Sequence, residues 1–268
     1  MKTEQNKTIR PSPTGSGGFT LTDLVVLLGV VAVLILVEAP ALAVSRGQTK
    51  MGVCASHVRQ IALACQIYAN ENNNRLPVLS GSANWAWDLP VNVANALLRS
   101  GVTTNGFYCP GTSPRFTDSD NWMALGSSSL WNFGAGGGVS GFHIIGYSLA
   151  FSGSSIMSSG TISATNQNTT MLPEMIKNGS TYLPAPAASD RVLVADATIS
   201  DNLVLPGYAH PDNNYTTIQG GFYKSHVSPH LNGNIPAGGN VGFKDGHVAW
   251  RKFELMVPRT TSGRYFWW

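Results

Sequence analysis

The feature that most constrains this chain is an unbroken apolar run of 14 residues, from Leu24 to Val37, directly after a polar and basic segment at residues 1–18. Apolar residues continue on both sides of this run, interrupted by Glu38. The 26 residues from 19 to 44 would form about 39 Å of helix, which exceeds the ~30 Å of a hydrocarbon core. The sequence therefore predicts a transmembrane helix at 19–44, with a buried core helix as the alternative.

A cleaved secretory signal peptide is a second alternative for the same segment. Small residues at Ala41 and Ala43 follow the apolar run and roughly fit a cleavage site. Asp23 argues against this interpretation, because a carboxylate at the membrane boundary costs about 1–3 kcal/mol of insertion free energy and serves no purpose in a signal peptide.

The heptapeptide Gly18-Phe19-Thr20-Leu21-Thr22-Asp23-Leu24, followed by the apolar run, resembles the processing site of type IV prepilins and type II secretion pseudopilins. The resemblance implies that a prepilin peptidase cuts between Gly18 and Phe19, removing a leader at 1–18. It also implies N-methylation of Phe19. The fifth mature residue, usually Glu in this family, is Asp23 here.

The same resemblance implies a function and a location. The chain would be a structural subunit of a type II secretion or type IV pilus-like assembly, with prepilin peptidase and other pilin-like subunits as its partners. It would sit in the bacterial inner membrane as a single-pass protein, with its head in the periplasm or on the cell surface. In a filament core, the buried acid would pair with the amino terminus of a neighbouring subunit, which offsets the cost of burying either charge alone.

A second helical pattern begins after Gly47 and extends the first, giving a soluble continuation at 45–73. Apolar residues recur there at spacings of three and four, which is typical of a helix with one buried face: Met51, Cys54, Val58, Ile61, Cys65 and Tyr68. Asparagines at 72–74 and Pro77 end the pattern. We therefore expect an α+β, pilin-like fold. In it, a long N-terminal helix with a membrane-spanning first half packs on an antiparallel β-sheet head with loop-rich insertions, at 74–268.

Further motifs resemble those of a bacterial subgroup of prepilin-like proteins. They are Cys54 followed by Arg59-Gln60-Ile61, a Cys109-Pro110 pair, and a C-terminal His before an Asp-Gly turn, here His230 with Asp245-Gly246 in the 225–253 segment. The subgroup spaces that His nine residues before the Asp-Gly, whereas this chain has 14 residues between them. The resemblance implies a Cys54–Cys109 disulfide. From the residues alone, Cys109 could pair with Cys54 or Cys65, or all three thiols could stay free.

Asp245-Gly246 lies between two apolar-alternating runs and predicts a two-residue β-hairpin turn. That turn would pair Lys244 with His247 and Phe243 with Val248. Gly246 would supply the positive φ that such a turn requires.

Other classes of function have weaker support. With 17 basic residues in 268, the chain has no basic stripe for nucleic acid. Pro229 separates His226 from His230, no zinc-type cysteine spacing occurs, and Gly146-Tyr147-Ser148-Leu149-Ala150 only approaches a nucleophile-elbow motif. We therefore expect no enzyme activity, cofactor or metal.

Two alternatives stay open. A membrane-anchored surface protein that binds a glycan or a partner would gather Trp85, Trp87 and Trp122 in one exposed patch. A tethered hydrolase would bring a Ser, a His and an Asp together in a deep pocket.

Overall fold

A computed structural model describes residues 18–79, 85–112, 142–153, 167–178, 180–203, 212–219, 225–260 and 264–268. The chain divides into two compact units, Met1–Arg46 and Gly47–Trp268. Of the predicted leader at 1–18, residues 1–17 lie outside the described residues, as does Trp122.

The long helix α1 covers Leu21–Glu71, and a reciprocal cap fixes its start. The Asp23 backbone N–H donates to Thr20 Oγ1 over 3.2 Å, while Thr20 donates its own backbone N–H to Asp23 Oδ2 over 3.0 Å. This Thr-x-x-Asp arrangement is a capping box, which satisfies donors that the first helical turn leaves without partners. The hydrogen bonds from Thr20 lower the pKa of Asp23. The acid that the pilin resemblance singles out thus has a local structural role as well.

The prediction that the first half of this helix spans a membrane is wrong. Among the residues that the structure describes, no helix combines the length and the apolarity needed to cross a membrane. The same finding contradicts the predicted fold class, with its membrane-spanning first half, and the predicted single-pass inner-membrane localisation.

The part of α1 in the second unit buries one face. Cys54, Val58, Ile61 and Cys65 from the predicted stripe are fully buried, whereas Met51 and Tyr68 are half-buried. The helix ends where Asn73 and Asn74 adopt positive φ angles of 55° and 62°. Asparagine tolerates this left-handed conformation better than most residues, which explains why the helix ends at the asparagine run.

In the described part of the chain, one further α-helix and twelve short strands follow. The helix α2 covers Val91–Arg99. The strands are β1 (Asp88–Pro90), β2 (Phe142–Ile144), β3 (Tyr147–Leu149), β4 (Ile176–Asn178), β5 (Thr181–Leu183), β6 (Val192–Asp196), β7 (Thr198–Ser200), β8 (Leu231–Asn232), β9 (Ile235–Pro236), β10 (Gly238–Phe243), β11 (Val248–Lys252) and β12 (Tyr265–Trp267). Two 3₁₀ turns lie at Thr104–Phe107 and Phe253–Leu255.

The central sheet has four antiparallel strands in the order β11-β10-β6-β3, and four two-stranded pairs surround it: β1-β2, β12-β7, β4-β5 and β8-β9. Its strands β3, β6 and β10 bury nearly every residue, as expected for a sheet covered on both faces. The main core joins this sheet to α1 and α2. A smaller core gathers Tyr215, Phe253, Met256 and Trp267. Both C-terminal tryptophans, Trp267 and Trp268, are buried.

The β10–β11 hairpin differs by one residue from its predicted register. Gly242 pairs with Val248, and Phe243 closes the turn by donating its N–H to the His247 carbonyl over 3.0 Å. The loop therefore has three residues, Lys244, Asp245 and Gly246, of which only Gly246 has a positive φ, at 88°. The physical reason lies in tertiary contacts. The Lys244 backbone N–H donates to the Arg191 carbonyl, and the Lys244 ammonium pairs with Glu174, so Lys244 does not pair with His247.

Candidate functional site

A disulfide joins α1 to the segment that follows the Thr104–Phe107 turn. It links Cys54 to Cys109, with the two Cα atoms 5.3 Å apart and a sequence separation of 55. Both cysteines are fully buried. Cys65, about three turns further along α1, stays a free thiol, and burial raises its pKa. Of the pairings left open by the sequence, the structure contains the one that the resemblance implies.

His230 and Asp196 lie beside this disulfide. His230 Nε2 is 3.6 Å from Cys109 Sγ and 3.3 Å from Asp196 Oδ2. One potential ligand atom from each of Cys54, Cys109, Asp196 and His230 lies within 4.8 Å of the other three. We call these four residues the Cys–His–Asp cluster. Its members come from α1, from the segment after the first 3₁₀ turn, from the end of β6 and from the residue before β8.

The Asp196 carboxylate is held from the neighbouring strand. Asn240 on β10 donates both its backbone N–H and its side-chain amide to Asp196 Oδ2, over 2.7 and 3.0 Å. The residue is only 1% exposed, and its second oxygen, Oδ1, has no hydrogen-bond partner among the described residues. A buried carboxylate oxygen without a partner is costly and calls for an explanation in terms of function or of an absent ion.

Backbone conformation places the His230 ring. His230 adopts a positive φ of 55°, a strained conformation that costs about 1–3 kcal/mol outside glycine. Its ring packs edge-on against Trp250, with the ring centroids 5.3 Å apart. On the other side lies Gly111, where a Cβ would come within 2.8 Å of the ring. Only glycine therefore lets the ring sit against this loop.

A second polar pair borders the cluster. His57 Nδ1 lies 3.2 Å from the Tyr147 hydroxyl, and Tyr147 is the register partner of Asp196. Burial lowers the pKa of His57, and burial together with the Asp196 charge raises the pKa of Tyr147 well above its usual value.

The residues predicted from sequence divide between separate places. Of the C-terminal motif, His230 belongs to the cluster, whereas Asp245 and Gly246 form the β10–β11 turn. There Asp245 Oδ1 contacts His247 Nδ1 over 2.6 Å. Gly18, Phe19 and Asp23 belong to the first unit and are exposed. The described residues therefore include two candidate regions, the segment around Gly18 that resembles a prepilin processing site and the Cys–His–Asp cluster.

Asp196 was missed as a site residue. Its only sequence signal is that a charged side chain closes the buried strand Arg191-Val-Leu-Val-Ala-Asp196. A carboxylate at the end of such a strand must find donors or an ion inside the protein.

The observations proposed to favour the two alternative functions can be compared with the structure. Trp87 is buried, stacks on half-buried Trp85 with centroids 5.5 Å apart, and packs against Phe266, while Trp122 lies outside the described residues. An exposed platform of Trp85 and Trp87 is therefore not present. His230 and Asp196 do meet, but in the described ranges no serine hydroxyl hydrogen-bonds to either of them, and buried Ser148 Oγ has no partner there.

Comparisons of the chain with protein-family models, with curated proteins and with solved structures give no match.

Proposed function

We propose that this chain is a prepilin-like structural subunit of a type II secretion or type IV pilus-like assembly. A prepilin peptidase cuts it between Gly18 and Phe19, and Phe19 becomes the N-methylated amino terminus. Other pilin-like subunits are its partners in the assembly. The heptapeptide around the cut and the apolar run that follows it are the sequence support for this function.

The observation that carries the proposal is the apolar surface of α1 in the first unit. Every residue from 18 to 36 is exposed in the single chain, and the large apolar side chains range from 41% exposed at Val31 to 79% at Leu21. Because these residues are consecutive, they cover all faces of the helix. A helix that is apolar all round is stable only when it is buried, and equivalent helices of neighbouring subunits provide such burial.

Asp23 fits this arrangement because its capping contacts are local. Thr20 supplies a backbone N–H and a hydroxyl to the carboxylate, so the acid stays ionised on the first turn of the helix. Cleavage after Gly18 would create a positive amino group at Phe19, close in sequence to this acid. In a bundle of such helices, the acid of one subunit and the amino group of the next would neutralise each other.

The test is terminal sequencing and intact mass of the chain produced together with a prepilin peptidase. We expect the product to begin at Phe19 and to lack residues 1–18. A Gly18→Leu variant should stay uncut, because the bulky side chain prevents close approach of the peptidase to the backbone. Gly15→Leu, three residues earlier, is the matched control and should be cut normally. A product that begins near Ala41 to Ser45 would instead show signal-peptidase cleavage and remove the proposal.

A second measurement separates assembly from export alone. Cysteine placed at Val26, on the exposed apolar part of α1, should cross-link between subunits of the cut chain and not between chains that carry Gly18→Leu. A cysteine at Gln48, an exposed position in the second unit, is the control and should cross-link far less. Equal cross-linking at both positions, or none at Val26 after correct cleavage, would contradict a structural role in a filament.

A further inference from the structure

We propose that reduction of the Cys54–Cys109 disulfide turns the Cys–His–Asp cluster into a binding site for a zinc-class divalent cation. The ligands would be the two cysteine thiolates, the imidazole of His230 and the carboxylate of Asp196. In the oxidised chain the two sulfurs are bonded to each other and the site is closed. This inference uses only the second unit and is independent of the proposed function.

The distances between the ligand atoms fit a tetrahedral ion. With bond lengths of ~2.3 Å to sulfur and ~2.0–2.1 Å to nitrogen or oxygen, ligand atoms around zinc lie about 3.3–3.8 Å apart. In the structure the nitrogen–oxygen separation from His230 to Asp196 is 3.3 Å, and the nitrogen–sulfur separation from His230 to Cys109 is 3.6 Å. Both separations already match. The two sulfurs, which are bonded to each other in the oxidised chain, must move apart, and breaking their bond permits this.

The ligand set selects the class of cation. Two thiolates, one imidazole and one carboxylate suit zinc and chemically similar ions, whereas calcium and magnesium require a shell of oxygens. The cluster is also shielded from solvent: Cys54, Cys109 and Asp196 are buried, and the His230 side chain is only 4% exposed. Asp196 Oδ1 accepts no hydrogen bond from the described residues, so the buried carboxylate keeps one oxygen with lone pairs for a cation.

The surroundings of the ligands resemble those of a supported metal site. Gly111 donates its backbone N–H to Cys109 Sγ over 3.3 Å, a contact that stabilises a thiolate. Asn240 fixes the Asp196 carboxylate with its two N–H donors. Groups of this kind, which hold the ligands rather than the ion, orient metal ligands and tune their affinity.

The conversion is balanced with a dithiol as reductant. The dithiol transfers two electrons and two protons to the disulfide and becomes a cyclic disulfide, while Cys54 and Cys109 become thiols. Binding of the cation then displaces both thiol protons to solvent, so the thiolates bind as anions. Reoxidation by a disulfide of the same class would release the cation and restore the bond between the two cysteines.

The experiment uses the full chain, reduced with a dithiol, freed of reductant without air, and titrated with Co²⁺ followed by Zn²⁺. We expect one Co²⁺ per chain with the absorption bands of tetrahedral thiolate coordination, and loss of those bands as Zn²⁺ displaces it. The oxidised chain should show no such bands. A reduced chain that binds no more Co²⁺ than the oxidised chain would overturn the proposal.

Three variants decide which residues bind. His230→Gln and Asp196→Asn should each weaken Co²⁺ binding at least tenfold, since even the loss of a group that only supports a ligand costs about 10–100-fold. Cys65→Ser is the matched control: it removes the one free thiol of α1 and should leave binding unchanged. Circular dichroism of each oxidised variant identifies any variant that fails to fold. If Asp196→Asn fails to fold, His230→Gln alone still tests the proposal. Binding that survives both ligand variants, or is lost in Cys65→Ser, would place the ion elsewhere.

Discussion

Gly242 on β10 lies against Val58 on α1 so closely that a Cβ on the glycine would come within 2.7 Å of Val58 Cγ1. The same Cβ would be 3.1 Å from Val194 Cγ1 on the neighbouring strand β6. Both valines are buried and β-branched, so neither can turn aside cheaply. The absence of a side chain at Gly242 therefore sets how near the helix approaches the central sheet.

Gly242→Ala should destabilise the chain by about 1–3 kcal/mol through overpacking at this contact. Chemical denaturation with circular dichroism measures the effect. Gly52→Ala is the control, because Gly52 is helical and a Cβ there would meet nothing within 4 Å. In the double variant Gly242→Ala/Val58→Ala, the loss should be smaller than the sum of the single losses. A fully additive result would show that the two residues do not limit each other.

Gly246→Ala should cost about 1–2 kcal/mol, because an alanine at a φ of 88° pays the left-handed penalty that glycine avoids. The added Cβ would also press on the Gln66 amide at 3.1 Å, which bonds to the Lys244 carbonyl. The midpoint of thermal unfolding reports the change. An unchanged midpoint would show that the turn can relax to a conformation with negative φ.

Removing the disulfide with Cys54→Ser/Cys109→Ser should lower the free energy of unfolding by about 4 kcal/mol, the chain-entropy value for a loop closed across 55 positions. Urea unfolding with and without a dithiol measures this effect. In the absence of divalent cations, the reduced wild-type chain should unfold near the midpoint of the double variant. Insensitivity of the wild-type midpoint to the dithiol would mean that the disulfide does not form in solution.

Stability should fall as the pH decreases below 6.5, in part because of His226. Burial lowers the pKa of this histidine from 6.5 to about 3 in the folded chain, where its Nε2 lies 2.9 Å from the Ala197 carbonyl. Between these two values the unfolded chain binds a proton that the folded chain does not. The histidine's contribution is therefore complete above pH 6.5 and is lost by up to about 1.4 kcal/mol per pH unit below it.

His226→Gln should flatten this dependence, so that its free energy of unfolding changes less between pH 6.5 and 4 than that of the wild type. His247→Gln is the control, because His247 lies on the exposed β10–β11 turn. Denaturant unfolding at a series of pH values gives the three slopes. If the slope of His226→Gln equals that of the wild type, the histidine is not excluded from protonation in the folded chain.

Local patterns predicted individual elements where their physical cause is local. The 3-4 spacing of Cys54, Val58, Ile61 and Cys65 corresponds to the buried face of α1. The hairpin register could not be found in this way. Asp245-Gly246 does form a turn, but the partners that hold Lys244 are Arg191, just before β6, and Glu174, which are distant in sequence.

The two candidate regions show the same division. The segment around Gly18 and Asp23 could be identified because its residues are consecutive. In the Cys–His–Asp cluster, by contrast, Asp196 and His230 become neighbours only in the folded chain. There β6 pairs with β10, and Asn240 lies beside Asp196. No spacing in the sequence predicts that the four residues lie close together, since they are spread from position 54 to position 230.

The disulfide also determines how the chain extends under a pulling force. Tension that enters through α1 reaches Cys54 and crosses directly to Cys109, bypassing the residues between them. At about 3.4 Å per extended residue, the bond withholds about 190 Å of chain that the force cannot draw out. A reducing environment would break the disulfide and release that length. The redox state of this one bond therefore sets how far the protein can extend under force.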